Sequence, residues 1–512
     1  MKLLSPHQMQ EIDRRAIEEN KIPGILLMEH AAYQIFSYLL EEDEGKQIMI
    51  ICGPGNNGGD GLALARQLTL WSKCEVKVLM AARPEKLTSD GYVYYDICNQ
   101  LQIDMMQLEE DNKEEFLNQI DHADVIVDAL FGTGLKRPIV GIYEEIITRI
   151  NQCSNKVVSI DIPSGVDGLT GKVQGIAVKA DSTITFMAPK LGLYLYPAIS
   201  YIGELRVVDI GIPKRLIEET KVTTYSIGRE EMKALLPERP IRSNKGAFGK
   251  VLTIGGKLGM AGAITLTSKA AYQVGCGTVT AMVPKGIMEI IQNKLTEVMA
   301  IGAPDKEGHF SKMATSTLKE ILHLYDVVAV GPGMGREKDH LDLIVEILVS
   351  DKPCVIDADA LYFIPEVLDI LKVRKAPTIL TPHPGEMARL TGSSIQEILD
   401  NPLEYTINFA VKFNVITILK LEKTIIADTR GNVYINKYGN SGLAKGGSGD
   451  ALTGIITGLM AQNMDPIDAA KLGVYLQTRA ADLASKVLSE YSLLASDTIQ
   501  FLSKAILELL ED

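Results

Sequence analysis

The chain has 512 residues, which is enough for two or three domains. Hydrophobic residues make up 46% and charged residues 23%, as in a globular protein with sizeable cores, and the formal net charge is −13. No lysine and arginine block stands out and no apolar run could span a bilayer, so neither nucleic acid nor a membrane is an expected partner. The chain starts without an apolar signal segment, and its six cysteines are scattered. We therefore expect a cytoplasmic protein with reduced, buried thiols.

The first sixty residues predict two helices, a strand and a glycine-rich loop. Ser5 is a helix cap followed by proline, and a second helix follows Gly24. Gln47 to Cys52 is a predicted buried strand that leads into residues 53–61, GPGNNGGDG, and then into a helix. A strand, a glycine loop and a helix are the parts of a dinucleotide phosphate site. The two asparagines and the aspartate add oxygen atoms that suit a hard cation, and a tight Asn-Gly turn is the ordinary alternative.

Two further predicted strands end in polar, glycine-bearing loops. Asp124 to Leu130 runs into residues 131–138, FGTGLKRP, and Val157 to Ile160 runs into residues 161–167, DIPSGVD. The carboxyl ends of strands in an open α/β sheet share one edge, where ligands bind. Asp161 is the carboxylate best placed there to carry a proton, and capping of the following turn is its structural alternative. Lys190 could add a phosphate contact, although a surface lysine is the simpler interpretation.

The motifs GPGNNGGDG, DALFGTGLKRP and SIDIPSGVDGLTG together resemble those of the NAD(P)H-hydrate epimerase domain. The resemblance covers residues 1–213 and implies a Rossmann-like three-layer fold that interconverts the R and S epimers of hydrated NADH and NADPH. It implies that Asp161 is catalytic and contacts the hydrated ring. It implies a potassium ion held by Asn57, Asp128 and Ser164. The substrate contacts that it implies are Asn56, Asn57, Gly58, Gly59, Asp60, Gly132, Thr133, Gly134, Leu135, Lys136, Arg137, Pro138 and Asp161.

A polar segment of mixed charge separates the two halves of the chain. A last strand is predicted from Leu205 to Ile210, and residues 214–224 follow it without a clear apolar pattern. We therefore predict a linker over residues 214–224, a first domain over residues 1–213 and a second domain over residues 225–512.

The second half again alternates strands with helices, which predicts an α/β fold with a mostly parallel sheet. Four predicted strands end in loops that bear glycine or polar residues: Lys250 to Ile254, Asp326 to Val330, Pro353 to Ile356 and Thr378 to Leu380. His383 lies in the last of these loops between two prolines, which lowers the entropy cost of contacting a ligand. Lys420 and Thr424 follow a further strand and could meet a nucleotide phosphate, and a solvated hairpin is the alternative.

Residues 440–461, NSGLAKGGSGDALTGIITGLMA, change abruptly from a glycine-rich loop to an apolar helix. The amide groups of Gly446 to Gly449 can turn toward one point, and the helix adds its unpaired first-turn N–H groups and the positive end of its dipole. Asp450 lies at the helix start, where the dipole is expected to keep its carboxylate ionised. An anion hole beside a base suits the attack of a hydroxyl on a phosphoryl group. A plain N-cap aspartate is the structural alternative.

From Gly246 to about Ser503 the motifs GPGMG, DADAL, TPHPGE and NSGLAKGGSGDALTG resemble the ADP- or ATP-dependent NAD(P)H-hydrate dehydratase. The resemblance implies a ribokinase-like α/β fold and repair of the S epimer at the expense of ADP, giving AMP and phosphate, with Mg²⁺ assisting. Asp450 is implied to be the catalytic residue. The implied substrate contacts are Ala263, Gly335, His383 and Asp450. The implied nucleotide contacts are Lys420, Leu421, Glu422, Lys423, Thr424 and Gly449. Family members usually carry glycine where this chain has Leu421, and leucine limits close approach to the backbone there.

The whole chain therefore resembles the bifunctional NAD(P)H-hydrate repair enzymes. The expected partners are hydrated NADH, hydrated NADPH and ADP, and a homo-oligomer, a tetramer or larger, is expected. One alternative is a ribokinase-like small-molecule kinase whose first half is a regulatory nucleotide-binding module, which predicts a stable phosphorylated product. Another is that the first half only binds a dinucleotide without exchanging epimers.

Overall fold

The chain divides between Val222 and Thr223 into two units in this computed structural model, which describes residues 1–135 and 137–511. The first unit is Lys2–Val222, and the second is Thr223–Asp512 together with Met1. Residues 214–224, predicted to be a linker, begin with a helix, Lys214–Glu219, whose Leu216 is buried in the core of the first unit. The apolar residues of this short helix therefore pack within the first unit.

The first unit contains a seven-stranded parallel sheet in the order β3-β2-β1-β4-β5-β6-β7. Its strands are β1 Gln47–Cys52, β2 Glu75–Met80, β3 Asp104–Gln107, β4 Val125–Ala129, β5 Lys156–Ile160, β6 Ser182–Phe186 and β7 Glu204–Val208. Its helices are α1 Pro6–Glu18, α2 Gly24–Asp43, α3 Asn56–Trp71, α4 Ser89–Gln100, α5 Lys113–Gln119, α6 Ile142–Gln152 and α7 Lys214–Glu219. Short 3-10 helices are Pro84–Lys86, Ile120–His122, Leu191–Tyr194 and Ala198–Ser200.

Two separate hydrophobic clusters cover the two faces of this sheet. Alternate residues of β1 take part in different clusters, since Ile48 and Ile50 contact one and Met49 and Ile51 the other. Parallel sheets are usually covered on both faces in this way, which explains the continuous apolar run of β1. The predicted Rossmann-like three-layer fold is confirmed by the parallel sheet and its two apolar faces.

Helix α3 extends from the glycine-rich loop after β1 to Trp71. It begins at Asn56, just after β1, and ends at Trp71. The indole of Trp71 packs edge-on against Phe36, with 6.0 Å between ring centroids, and the guanidinium of Arg66 lies over it at 5.2 Å. Because β1, β4 and β5 are neighbours in the sheet, the loops that follow them lie at one edge.

The second unit contains a ten-stranded mixed sheet in the order β11-β10-β9-β14-β15-β16-β17-β18-β19-β8, with only the β17–β18 and β18–β19 pairs antiparallel. Its strands are β8 Thr224–Ser226, β9 Lys250–Ile254, β10 Thr278–Pro284, β11 Met299–Ala303, β14 Val327–Val330, β15 Cys354–Ile356, β16 Thr378–Leu380, β17 Ile416–Leu419, β18 Ile425–Ala427 and β19 Val433–Ile435. A separate hairpin pairs β12 Asp305–Lys306 with β13 His309–Phe310. The prediction of a mostly parallel sheet in an α/β fold is confirmed.

Helices of the second unit are α8 Arg229–Leu235, α9 Ala261–Gln273, α10 Met288–Lys294, α11 Ala314–Ile321, α12 His340–Val349, α13 Leu368–Val373, α14 Pro384–Thr391, α15 Ile395–Asp400, α16 Pro402–Phe413, α17 Ser448–Met460, α18 Pro466–Ser492 and α19 Ala495–Leu510. Short 3-10 helices are Lys245–Phe248, Lys285–Ile287, Leu322–Leu324, Ala358–Glu366 and Ser441–Leu443. The backbone of α18 is interrupted at Ser489, where φ is 63°. Helix α17 is buried along its length after the first turn, as its apolar sequence predicts.

Across the described ranges, none of the helices combines the length and the apolar character that a bilayer crossing needs. All six cysteines are free thiols, and four of them, Cys52, Cys98, Cys276 and Cys354, are buried. The expectation of buried thiols is therefore met at these four positions.

Candidate functional site

A cavity of about 670 Å³ lies in the first unit where β1, β4 and β5 end. Predicted site residues that line it are Asn56, Asn57, Asp60, Gly132, Thr133, Gly134, Leu135, Arg137 and Asp161. Gly58, Gly59 and Pro138 do not line it, and Lys136 lies outside the described residues. The structure thus brings residues of all three predicted loops to one cavity.

Gly58 and Gly59 serve the packing of α3. A Cβ atom on Gly58 would lie 2.0 Å from the carbonyl oxygen of Gly53, and one on Gly59 would lie 2.7 Å from the terminal methyl carbon of Met28. Both distances are too short for a contact between a Cβ atom and another heavy atom, so a side chain at either position would require its neighbours to move. Their glycine identity follows from this close approach.

Asp161 forms a buried ion pair with Lys190. Its Oδ1 atom also accepts a hydrogen bond from Thr185 Oγ1 at 3.1 Å, and Lys190 Nζ donates to the same hydroxyl at 3.0 Å. Lys190 is 2% exposed, so its interpretation as a surface lysine is wrong. The ammonium group supplies a counter-charge that holds Asp161 at the wall of the cavity. Asp161 adopts φ of 63°, in the left-handed region that non-glycine residues seldom occupy.

Three more carboxyl residues line the same cavity, Asp13 on α1, Asp60 on α3 and Asp90 on α4. Burial raises the pKa of Asp13 to about 6, with Lys190 lowering it and Asp161 raising it. Burial raises the pKa of Asp60 well above its usual range, with Asp161 and Asp13 adding to the effect. Asp13 is not among the site residues predicted from the sequence. Its position beside the buried Met9, Ile12 and Ala16 is the signal that could have identified it.

The predicted potassium ligands fit an oxygen-liganded cation. Both side-chain polar atoms of Asn57 are buried without a hydrogen-bond partner among the described residues. Asp128 is fully buried, and its carboxylate accepts hydrogen bonds from Ser159 Oγ at 2.9 Å, Ser164 N at 2.8 Å and Ser164 Oγ at 2.6 Å. An unsatisfied amide oxygen together with carboxyl and hydroxyl oxygens is the set of donor atoms that a hard cation prefers.

In the second unit, Lys420 and Asp357 form the centre of a polar cluster. Lys420 Nζ donates to Asp357 Oδ1 at 2.8 Å, and the hydroxyls of Thr381 and Thr453 donate to the same carboxylate at 2.7 and 2.8 Å. Burial raises the pKa of Asp357, but Lys420 and these hydroxyls outweigh it, so the pKa lies below the usual range. Burial lowers the pKa of Lys420, but Asp357 and Glu386 outweigh it and the pKa is raised. Both groups are therefore charged.

The helix α17 begins against this charged pair. A Cβ atom on Gly449 would lie 3.1 Å from Lys420 Nζ and 3.5 Å from Asp357 Oδ2. The N–H groups of Gly449 and Asp450 belong to the first turn, which has no acceptor within the helix. The N–H of Ser448 already donates to the Lys445 carbonyl at 3.3 Å. One amide of the predicted anion hole, that of Ser448, therefore already has an acceptor.

The carboxyl of Asp450 has a raised pKa because of its surroundings. Burial, together with the negative charges of Asp357 and Asp359, raises its pKa to about 6, and Lys420 opposes the rise. Desolvation and neighbouring carboxylates therefore act against the helix dipole, but a pKa of about 6 still leaves the carboxyl mostly ionised at neutral pH. A carboxyl with this pKa can accept a proton at neutral pH.

His383 is the N-cap of α14, and Glu386 completes a capping box with it. His383 Nδ1 accepts from the backbone N–H groups of Gly385 and Glu386 at 3.0 and 3.4 Å. The backbone N–H of His383 donates to Glu386 Oε2 at 2.8 Å. Burial and then Lys420 lower the pKa of the imidazole, so it is neutral. Burial raises the pKa of Glu386 to about 7, and its Oε2 lies 4.0 Å from Lys420 Nζ. Glu386 belongs to the TPHPGE motif but is not among the site residues predicted from the sequence.

Gly335 lies in a small cavity of about 360 Å³ whose lining also contains Lys257, Arg336 and Asp359. The N–H of Gly335 donates to Asp359 Oδ2 at 3.0 Å, and Arg336 Nε donates to Asp359 Oδ1 at 3.0 Å. His340 Nδ1 lies 3.1 Å from the Gly335 carbonyl oxygen, and this hydrogen bond holds the loop that contains Gly335. Ala263 lies in the first turn of α9, and a Cβ on Gly333 would meet its methyl group at 2.9 Å.

Residues 420–424 form the turn between the antiparallel strands β17 and β18, so the hairpin alternative describes their backbone correctly. Lys420 nevertheless turns inward to Asp357, while Lys423 Nζ donates to the Lys437 carbonyl at 2.6 Å. Glu422 is exposed, and Leu421 and Thr424 are half-buried. Of this predicted group, Lys420 joins the cluster around Asp450, with Gly449.

Two family profiles match the chain. The profile described as YjeF-related protein N-terminus matches residues 25–192, and the profile described as NAD(P)H-hydrate dehydratase matches residues 251–504. Each match lies within one of the two structural units.

Full-length relatives share both halves. The bifunctional NAD(P)H-hydrate repair enzyme of Moorella thermoacetica is 39% identical over 100% of this chain and 98% of its own length, and that of Thermofilum pendens is 35% identical over 100% and 97%. Among solved structures, the ADP/ATP-dependent NAD(P)H-hydrate dehydratase of Bacillus subtilis, co-crystallised with ATP and Mg²⁺, is 30% identical with a TM-score of 0.50. The matched region covers 56% of this chain and 98% of the Bacillus subtilis chain.

Proposed function

Because this chain belongs to the family of bifunctional NAD(P)H-hydrate repair enzymes, we propose that it restores both epimers of hydrated NADH and NADPH to the intact dinucleotides. The first unit interconverts the R and S epimers. The second unit removes water from the S epimer at the expense of ADP, which gives AMP and phosphate. The observation that carries the proposal is the position of Lys420 beside Gly449 in the first turn of α17, close enough to Asp450 for their charges to interact.

In the second unit, Asp450 accepts the proton of the substrate hydroxyl as the oxygen attacks the terminal phosphoryl group of ADP. Its pKa of about 6 leaves it ionised at neutral pH yet basic enough to take that proton. The amides of the first turn of α17 stabilise negative charge on the phosphoryl oxygens, and Lys420 attracts them. Hydroxide is a poor leaving group, whereas the phosphate formed in this step departs as the ring nitrogen supplies its electron pair.

The carboxyl of Glu386 is a suitable ligand for Mg²⁺. Burial raises the pKa of this carboxyl to about 7, with Lys420 lowering it and Asp357 raising it. When bound, the ion would neutralise charge on the phosphoryl oxygens during transfer. Asp357 keeps Lys420 charged and in place. Leu421 replaces the glycine that family members usually have, and its half-buried position leaves the inward reach of Lys420 intact.

In the first unit, Asp161 contacts the hydrated ring and carries a proton during epimerisation, held by Lys190 and Thr185. The loops that line the cavity, with Asn56, Thr133 and Arg137, bind the dinucleotide. Asn57, Asp128 and Ser164 would hold K⁺, which would supply a positive charge beside the substrate.

Three further parts of the proposal concern the whole protein. Its substrates are small molecules, namely the two hydrated dinucleotides and ADP. It assembles as a homo-oligomer, a tetramer or larger, which light scattering of the purified protein tests. It works in the cytoplasm, where fluorescence microscopy of a tagged chain tests its location.

Recovery of absorbance at 340 nm tests the two activities together. Purified protein and Mg²⁺ are added to a mixture of R- and S-hydrated NADH, with ADP and ATP in parallel. Recovery of both epimers with formation of AMP and phosphate is the expected result. Recovery of the S epimer alone would leave the dehydratase and make the first unit a binding module. Absence of recovery, with a phosphorylated product accumulating, would instead indicate a small-molecule kinase.

A further inference from the structure

The cavity of the first unit contains more acid–base capacity than Asp161 provides. Asp13, Asp60 and Asp161 all line it. Asp161 is paired with Lys190, whereas Asp13 makes neither an ion pair nor a hydrogen bond with the described part of the chain. A partly buried carboxyl without a partner is costly unless it has a use, because burial alone disfavours its charged form.

The backbone explains why Asp13 lies near the ion pair. Leu4, just ahead of α1, forms a parallel bridge with Lys190. The N–H of Leu4 donates to the Pro189 carbonyl at 3.1 Å, and the N–H of Leu191 donates to the Leu4 carbonyl at 2.9 Å. The start of α1 is therefore fixed to the segment that carries Lys190. Asp13 follows on the same helix, close enough to Lys190 and Asp161 for their charges to change its pKa.

We propose that Asp13 is the second proton-carrying group of the epimerase site and works together with Asp161. This inference rests on the proposed epimerase function. Asp13 lines the cavity from α1 and Asp161 from the end of β5, so the two carboxyls approach a bound ring from different elements. Inversion requires the hydroxyl to leave one face of the ring carbon and water to add to the other, so a proton donor is needed at one face and a proton acceptor at the opposite face.

The reaction needs one carboxylic acid as proton donor and one carboxylate as proton acceptor. The hydroxyl-bearing ring carbon is bonded to the ring nitrogen. One carboxylic acid gives its proton to the hydroxyl, the carbon–oxygen bond breaks, water leaves and the nitrogen electron pair forms a carbon–nitrogen double bond. Water then adds to the other face of that carbon and gives a proton to the other carboxylate. Nothing is oxidised or reduced, and the reverse reaction exchanges the roles of the two carboxyls.

The position of Asp13 on a different element from Asp161, at the same cavity and without a partner of its own among the residues that the structure describes, favours it for this role. Burial raises the pKa of Asp60 well above the usual range, which disfavours its ionised form. The pKa of Asp13 is about 6, so both protonation states are accessible near neutral pH. Three charged groups influence the pKa of Asp13 or are influenced by it: Lys190 on the segment bridged to Leu4, Asp161 after β5 and Asp60 on α3. Asp90 on α4 and Arg137 line the same cavity.

The test compares full-length Asp13→Asn with wild type, starting from pure R-hydrated NADH and following the appearance of the S epimer by chromatography. We expect the epimerisation rate to fall at least about 100-fold, and the limb near pH 6 of its pH profile to disappear. In water enriched in ¹⁸O, wild type should place one ¹⁸O atom in the product per inversion. Asp13→Glu should regain part of the rate. Glu11→Gln, which changes an exposed carboxyl on the same helix, is the matched control and should be unchanged.

Epimerisation by Asp13→Asn within twofold of wild type, with the pH limb retained, would overturn the inference. Inversion by wild type without ¹⁸O uptake would overturn it as well. A lower melting temperature with an unchanged pH profile would show a purely structural role and would also count against it. Failure of wild type to equilibrate the epimers would instead remove the proposed epimerase function, so the two failures are distinguishable. Dehydration of the S epimer, measured on the same sample, confirms that the protein is folded.

Discussion

At the residue scale, Asp450 combines a place in the first turn of α17 with a carboxyl whose pKa is about 6. Replacement by asparagine keeps the shape and removes the proton acceptor. We expect Asp450→Asn to lower the dehydration rate by at least about 100-fold and to leave epimerisation within twofold of wild type. The measurement is recovery of NADH from the S epimer with ADP, and epimer exchange in the same preparation is the control. Loss of both activities would contradict separate sites.

The same carboxyl makes stability depend on pH. Folding raises the pKa of Asp450 from 3.8 to about 6, so the folded state binds its proton more tightly than the unfolded state does. Its favourable contribution is complete below pH 3.8 and is lost as pH rises through about 6. Asp450→Asn, which is neutral at every pH, should therefore melt a few degrees above wild type at pH 7.5. The difference should shrink at pH 5, and a difference that grew toward low pH would contradict the assignment.

Local sequence did not predict the electrostatic surroundings of these residues. The glycine run and the helix start marked Asp450, but its pKa depends on Asp357, which is far away in the chain. The sequence around Lys190 favours a surface position, because no neighbouring residue indicates burial and its partner Asp161 lies 29 residues earlier. Asp13 was missed for the same reason, since only the fold brings α1 to the cavity.

At the scale of elements, the start of α17 depends on one glycine conformation. Gly447 has φ of 96°, and a Cβ there would lie 2.7 Å from Leu266 Cδ1. Gly447→Ala should cost about 1–2 kcal/mol for the left-handed backbone alone and should slow dehydration by shifting the first-turn amides. Gly446→Ala is the matched control, because open space surrounds a Cβ there and its φ is not in the left-handed region.

Chemical denaturation and the dehydration assay check this pair of variants. Gly446→Ala should stay within about 0.5 kcal/mol of wild type and keep its activity. Equal effects of the two substitutions would contradict a special role for the Gly447 conformation.

Several element boundaries followed directly from apolar patterning. Lys250–Ile254 and Thr378–Leu380 are strands with the predicted bounds, and Ser5 caps α1 as expected. The segment 214–219 differs, because a six-residue helix has too few apolar positions to show a period, and its Leu216 is buried only through tertiary packing. The order of the strands in each sheet is likewise a long-range property that local patterns do not specify.

At the scale of the whole molecule, each unit contains its own cavity or cluster with its own charged residues. If each unit works by itself, two defective chains should complement each other. An equimolar mixture of Asp161→Asn and Asp450→Asn should repair R-hydrated NADH with ADP, although each variant alone should not, because the S epimer made by one chain is released and used by the other. Recovery at 340 nm measures the effect. A mixture as inactive as its components would contradict independent units with a diffusing intermediate.

Trp71, the single tryptophan of the chain, ends α3, whose other end carries Asn56 and Asn57 at the cavity. Indole fluorescence in this protein therefore originates entirely in the first unit, close to Phe36 and Arg66. Emission during heating reports the unfolding of that unit alone, whereas far-ultraviolet circular dichroism reports both. The natural sequence thus contains an optical probe that separates the melting of one catalytic unit from that of the other without any label.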